Sequence, residues 1–132
     1  MIAVDASALL AIVFNEPEAS AFAHQITEND CIVGAPSRFE ATLGIQWKAT
    51  ARHMDELLHI LALPNVSVVD FSAAHALVAQ NAFVLYGRGS KHKAGLNYGD
   101  CMAYAVARVA DVPLLFKGED FVHTDIQPAI RV

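Results

Sequence analysis

"MIAVDASALLAIVFN", Met1–Asn15, is a short apolar run that ends in an acid and passes at once into a helical pattern. The run reads as a buried strand, the residues around Ser7 as a sharp turn, and "ALLAIVFN" as a helix, which puts Asp5 at the strand's carboxyl end. The same alternation continues along the chain. Pro17 opens a helix through "EASAFAHQIT", and "CIVG" (31–34) reads as a second buried strand. Pro36 and Ser37 open a third helix, in which Ser37-Arg38-Phe39-Glu40 has the capping-box pattern, with Glu40 reaching back to the Ser37 N–H. "HMDELLHILAL" (53–63) is helical and stops at Pro64, "VSVVD" (66–70) is a strand, and "SAAHALVAQNAFVLYG" (72–87) is a helix ended by Gly87. After the polar loop "GRGSKHKAG", a helix capped by Asn97 runs to about Ala110, Pro113 starts the strand "PLLF", and "AIRV" closes the chain as an edge strand.

Strands that alternate with helices build a parallel sheet covered on both faces, and such sheets bind ligands at the carboxyl ends of their strands. The expected fold is therefore α/β. With 132 residues, 55% of them hydrophobic and 17% charged, the chain is of single-domain length and buries a core without staples. No Lys or Arg precedes Arg38, and the apolar run from Ala6 to Phe14 is nine residues, so neither a signal peptide nor a membrane span fits and a cytoplasmic location is expected. Cys31 and Cys101 lack metal-type spacing and read as reduced structural thiols. The net charge of −5 argues at first against a nucleic-acid partner. Gathering four of the 14 acids into one metal site, however, leaves ten against nine basic residues, and the objection disappears.

Asp5 ends the first strand, Glu40 lies on the helix after "CIVG", and Asp120 follows "PLLF" through "KGED", all at one sheet edge. Asp100 opens the helix that leads into the last strand, in "GLNYGDCMAYAVA", with no basic residue within six positions on either side. An acid in a helix's first turn is favoured by the helix dipole and by capping, so Asp100 and Glu40 each have a purely structural explanation. Convergence of all four is costlier to explain that way. Two unpaired carboxylates about 5 Å apart repel by roughly 3 kcal/mol at an effective dielectric near 20. A divalent cation removes that repulsion, and oxygen ligands without His or Cys select Mg²⁺ or Mn²⁺, whose bound water serves phosphodiester hydrolysis.

"MIAVDASALLAIVFNEPEA", "SRFEATLG", "AGLNYGDCMAYAVA" and "LLFKGEDFVHTDI", as an ordered set, resemble the PIN-domain ribonucleases, specifically their VapC-like toxin branch. The resemblance implies one PIN domain over residues 1–132, folded as a three-layer α/β/α sandwich around a central parallel sheet. It implies that Asp5, Glu40, Asp100 and Asp120 form a metal-binding catalytic quartet, supported by Ser7, that hydrolyses RNA. It also implies a homodimer held inactive by a small VapB-like antitoxin whose C-terminal segment lies along the active-site groove. In this reading Asp5, Asp100 and Asp120 hold the metal, and Glu40 orients the site or takes a proton from the attacking water.

Asp125 is a second candidate for the fourth acid, its alternative role being an exposed turn residue. Asp70 is set aside, because the family motif has no counterpart for it and Ser72 marks a helix start. Arg88, Lys91, His92 and Lys93 form either an RNA-backbone contact or a solvated loop. Tyr98 and Trp47 are candidate base-stacking residues, although Trp47 on a helix equally suits a core or an interface. The remaining histidines read as helix-face residues, and the helices Ala8–Phe14 and Phe39–Trp47 as candidate partner contacts.

Two rival readings remain at this level. A Mg²⁺-binding receiver-like phosphoacceptor domain shares the architecture, with Asp70 and Lys117 near suggestive strand ends, but usually carries adjacent acids where this chain has Asp5 followed by Ala6. The other is a PIN fold kept only as a catalytically silent protein-binding module.

Overall fold

A computed structural model describes residues 1–48 and 50–130. In chain order its elements are β1 (Ile2–Val4), α1 (Ala6–Val13), α2 (Ala19–Glu28), β2 (Cys31–Gly34), α3 (Ala35–Gln46), α4 (Ala51–Leu61), β3 (Val66–Val69), α5 (Ala73–Tyr86), α6 (Tyr98–Ala110) and β4 (Leu114–Leu115). The strands form one parallel sheet in the order β3-β2-β1-β4, with Ile2 opposite Cys31 and Ala3 opposite both Ile32 and Leu114. The α/β/α expectation holds.

Because side chains alternate across a strand, this register sorts the apolar residues into two cores. Ile2, Val4, Cys31, Val33 and Leu115 face α1, α2, α3 and α4, where Leu9, Phe22, Ile45 and Leu57 are buried. Ala3, Ile32 and Leu114 face the other way, against Ala82 of α5 and Tyr104 and Val106 of α6. Near-continuous apolar strands such as IAV and CIVG are what a sheet buried on both faces requires. Cys31 and Cys101 are both free and buried, and burial pushes the Cys101 thiol up to about 11.

Several local expectations differ from the structure. α3 starts at Ala35 with Gly34 as N-cap and no side-chain cap, so Ser37 is an interior helix residue, 6% exposed, and Glu40 is not part of a capping box. The β-strand before it runs straight into the helix, which leaves Ser37 one turn too late to cap. The segment "AIRV" is not a strand as far as it is described: Ala129 donates to the Leu114 carbonyl at 2.8 Å, and Pro128 makes a single bridge to Leu114, while Arg131 and Val132 lie outside the described residues. α1 offers little surface to a partner, since Ala8, Leu9, Ala11 and Val13 belong to the core. His53 and His75 turn out to be capping residues, each accepting the N-cap backbone N–H through Nδ1, from Thr50 at 3.3 Å and Ser72 at 3.0 Å.

Gly34 sets the spacing between α3 and α6, because a Cβ there would stand 2.7 Å from Val106 Cγ2. Gly34→Ala is therefore expected to destabilise the protein by about 1–3 kcal/mol in urea unfolding. Combining it with Val106→Ala should recover at least about 1 kcal/mol relative to the sum of the single changes. Additive losses would show that the two residues do not share this contact.

Candidate active site

Asp5 leaves β1 in an extended conformation and caps α1, its Oδ2 accepting the Ser7 N–H at 3.1 Å and the Ser7 hydroxyl at 2.5 Å. Ser7 Oγ in turn accepts the Lys117 N–H at 3.0 Å, which ties the loop after β4 to the start of α1. Asp5 is only 5% exposed. Burial raises its carboxyl above the usual range against the lowering effect of the Ser7 and Ala6 bonds, and neighbouring Asp120 raises it further.

Asp100 is the third residue of α6 and closes a capping box: Asn97 Oδ1 accepts the Asp100 N–H at 2.8 Å, and Asp100 Oδ2 accepts the Asn97 N–H at 3.1 Å. The capping role is real. It does not neutralise the carboxyl, which burial chiefly, then Asp120 and Asp5, push up to about 7. Glu40 sits on an open stretch of α3, but its carboxyl end turns towards α6 and is raised by partial burial and then by Asp5. Asp120 is exposed in the turn after Gly118, which takes φ +103° there. Asp5, Glu40 and Asp100 are thus each raised by at least one other acid of the set. Among the described residues none of them has a basic partner within ion-pair distance. The lysine nearest Asp120 in sequence, Lys117, pairs with Glu16 and with Glu18 instead.

The structure separates Asp125 from this group. Its Oδ1 accepts the Tyr104 hydroxyl at 2.6 Å, and its Oδ2 lies 3.9 Å from Arg108 Nη2, so it docks the C-terminal segment onto later turns of α6. Asp70 follows β3, and Ser72 caps α5 beside it. Arg88, Lys91 and Lys93 are exposed on the loop leading to α6 and join no ion pair among the described residues. Tyr98 and Trp47 are 80% and 87% exposed, which removes the core reading of Trp47.

Among the described residues no three His, Cys, Asp or Glu side chains stand close enough to clasp one ion directly. The four acids do fit a hydrated Mg²⁺ or Mn²⁺, since Mg²⁺ takes one or two carboxylates and keeps several waters through which further acids act. An all-oxygen donor set without a cation beside it is the matching chemistry.

The raised Asp100 carboxyl has a measurable consequence. Its folded value lies above its ordinary value of 3.8, so the folded state holds a proton that the unfolded chain has lost. That stabilisation is complete below pH about 4 and is lost as pH rises through about 7. Discounted for a carboxyl that is partly open to solvent, it is worth on the order of 1–2 kcal/mol. In chelator, wild type should lose more stability than Asp100→Asn between pH about 5 and about 8, read by thermal melting. Parallel pH profiles for the two proteins would refute the strained carboxyl.

The PIN domain family model matches residues 2–127. Ribonuclease VapC30 of Mycobacterium tuberculosis is 40% identical over 127 residues, covering 93% of this chain and 94% of its own. Ribonuclease VapC42 of the same organism is 41% identical over 130 residues, covering 96% and 97%. Among solved structures, Mycobacterium tuberculosis VapC20, described as a sarcin-ricin loop cleaving toxin, superposes with a TM-score of 0.77 at 15% identity, covering 96% of each chain. VapBC2 from Rickettsia felis, bound to a DNA fragment from its promoter, gives 0.75 at 13% identity, covering 97% of this chain and 96% of that one.

Proposed function

Because the chain belongs to the PIN-domain family, within its VapC ribonuclease group, we propose that it is an endoribonuclease toxin whose acidic crevice hydrolyses RNA with Mg²⁺ or Mn²⁺. What supports this reading is that the Asp5, Glu40 and Asp100 carboxyls, on three separate segments, are each raised by another acid of the set, Asp120 among them, with no basic partner among the described residues. A divalent cation supplies the missing counter-charge and lowers the pKa of a bound water. Asp5, Asp100 and Asp120 would hold it, directly or through water. Ser7 keeps the Asp5 carboxylate oriented and the Asp120 loop fastened beside it. Glu40, held above the ordinary carboxyl range, takes the proton of the attacking water as its oxygen bonds to phosphorus, while the bond from phosphorus to the ribose oxygen breaks and that oxygen takes a proton from solvent. Arg88, Lys91 and Lys93 hold the RNA backbone beside this anionic site.

Partners follow from the same reading. Membership in the VapC group supports an inhibitory antitoxin and a homodimer. A groove of about 970 Å³ runs between α3 and α6, with Glu40, Phe39 and Leu43 on its wall. It shares Phe71, Tyr98 and Met102 with a second groove of about 510 Å³ against α5. With exposed Val84 lining the second groove and exposed Trp47 at the C-terminal end of α3, one turn beyond Leu43, this apolar surface is where we place the contact with a second copy. No helix of the described residues is long and apolar enough to cross a membrane.

The purified protein should cleave RNA with Mg²⁺ or Mn²⁺ and stop in chelator, and Asp100→Asn should lower kcat by about 100-fold. Unchanged turnover in that variant would remove the acid cluster from catalysis. Light scattering should give twice the 14.2 kDa chain mass for wild type and the single mass for Trp47→Glu/Val84→Glu. A wild-type monomer would end the homodimer assignment.

A further inference from the structure

Gly99 stands in the first turn of α6, between exposed Tyr98 and Asp100. Glycine in a helix is less stable than alanine by roughly 0.5–1 kcal/mol. Backbone conformation does not explain its presence, because Gly99 is absent from the glycines with positive φ, which are Gly89, Gly95 and Gly118. Space explains it. A methyl group on Gly99 would overlap Glu40 Oε1 and stand 3.2 Å from Glu40 Cδ and 3.5 Å from Asn97 Oδ1.

Glu40 reaches this point from the sixth position of α3, with no hydrogen bond or ion pair to hold its flexible chain among the described residues. An unrestrained glutamate loses rotamer entropy when fixed, and something must select the one orientation. The bare Gly99 backbone provides a notch for the carboxylate, and the positive end of the α6 dipole favours a negative group there. We infer that Gly99 is the positioning residue of Glu40, holding its carboxylate on the wall that carries Asp100; this rests on Glu40 being part of the catalytic crevice. The overlap in a Gly99→Ala protein falls on the far end of a flexible side chain, not on backbone. Alanine at this position therefore displaces Glu40 without separating α3 from α6.

The test uses the full chain and a labelled oligoribonucleotide that wild type cleaves in Mn²⁺. Gly99→Ala should melt at the wild-type temperature or above, yet lose at least about tenfold in kcat with KM within about twofold, since the lost group acts on the chemical step. Introduced into Glu40→Gln, it should change the residual rate by less than about twofold, because both changes remove the same interaction. Gly99→Ala/Glu40→Asp should regain part of the rate lost by Gly99→Ala, as the shorter acid clears the methyl. Mn²⁺ titrations read by electron paramagnetic resonance should shift alike in Gly99→Ala and Glu40→Gln. A wild-type kcat in Gly99→Ala, with Glu40→Gln inactive, overturns the positioning role alone. A loss that adds in full to that of Glu40→Gln, or a lowered melting temperature, also overturns it. Full activity of Glu40→Gln removes Glu40 from the crevice and the inference with it.

Discussion

Burial of the Asp5 carboxylate at the end of the central strand is the constraint around which this molecule is arranged. An isolated ionised carboxylate out of water costs several kcal/mol unless it is paired or hydrogen-bonded. The fold offers Asp5 the two Ser7 donors and the start of α1, which favour the charged form. It then surrounds Asp5 with acids that disfavour it. Protein groups do not resolve this opposition among the described residues; under the proposed function a divalent cation would.

The sheet order makes the crowding unavoidable. β1 lies between β2 and β4, all parallel, so their carboxyl ends and the segments that follow open side by side. Asp5 follows β1 directly, Glu40 rides on the helix after β2, and Asp120 lies in the turn after β4. α6 packs against β1 and β2 with its first turn at the same edge, adding Asp100. Gly34 leaves room for the Val106 side chain of α6, and Gly99 leaves room for the Glu40 carboxylate of α3.

The strand-helix alternation was readable because apolar runs such as MIAV and CIVG and caps such as Asn97 are local signals. The Asn97–Asp100 box formed as its residues suggested. The equally good Ser37–Glu40 pattern did not, because β2 leads into α3 without a break and turns Ser37 inwards. The capping histidines were missed, since an imidazole at the third helical position is not the usual Glu or Gln partner. Asp120 and Asp125, five residues apart, were indistinguishable by spacing; Tyr104 and Arg108 tell them apart by engaging one of them.

The sequence by itself determined the order of the main elements and the family, and it singled out the four acids proposed as the site, since periodicity, caps and a motif set are properties of neighbouring residues. Only the tertiary structure decided which side chains meet. The Ser7–Lys117 tie spans 110 residues of chain, and the Glu40–Gly99 notch joins two helices that never adjoin in sequence. Neither leaves a local trace, because a glycine that clears space for a distant carboxylate looks, along the chain, like any other weak helix former.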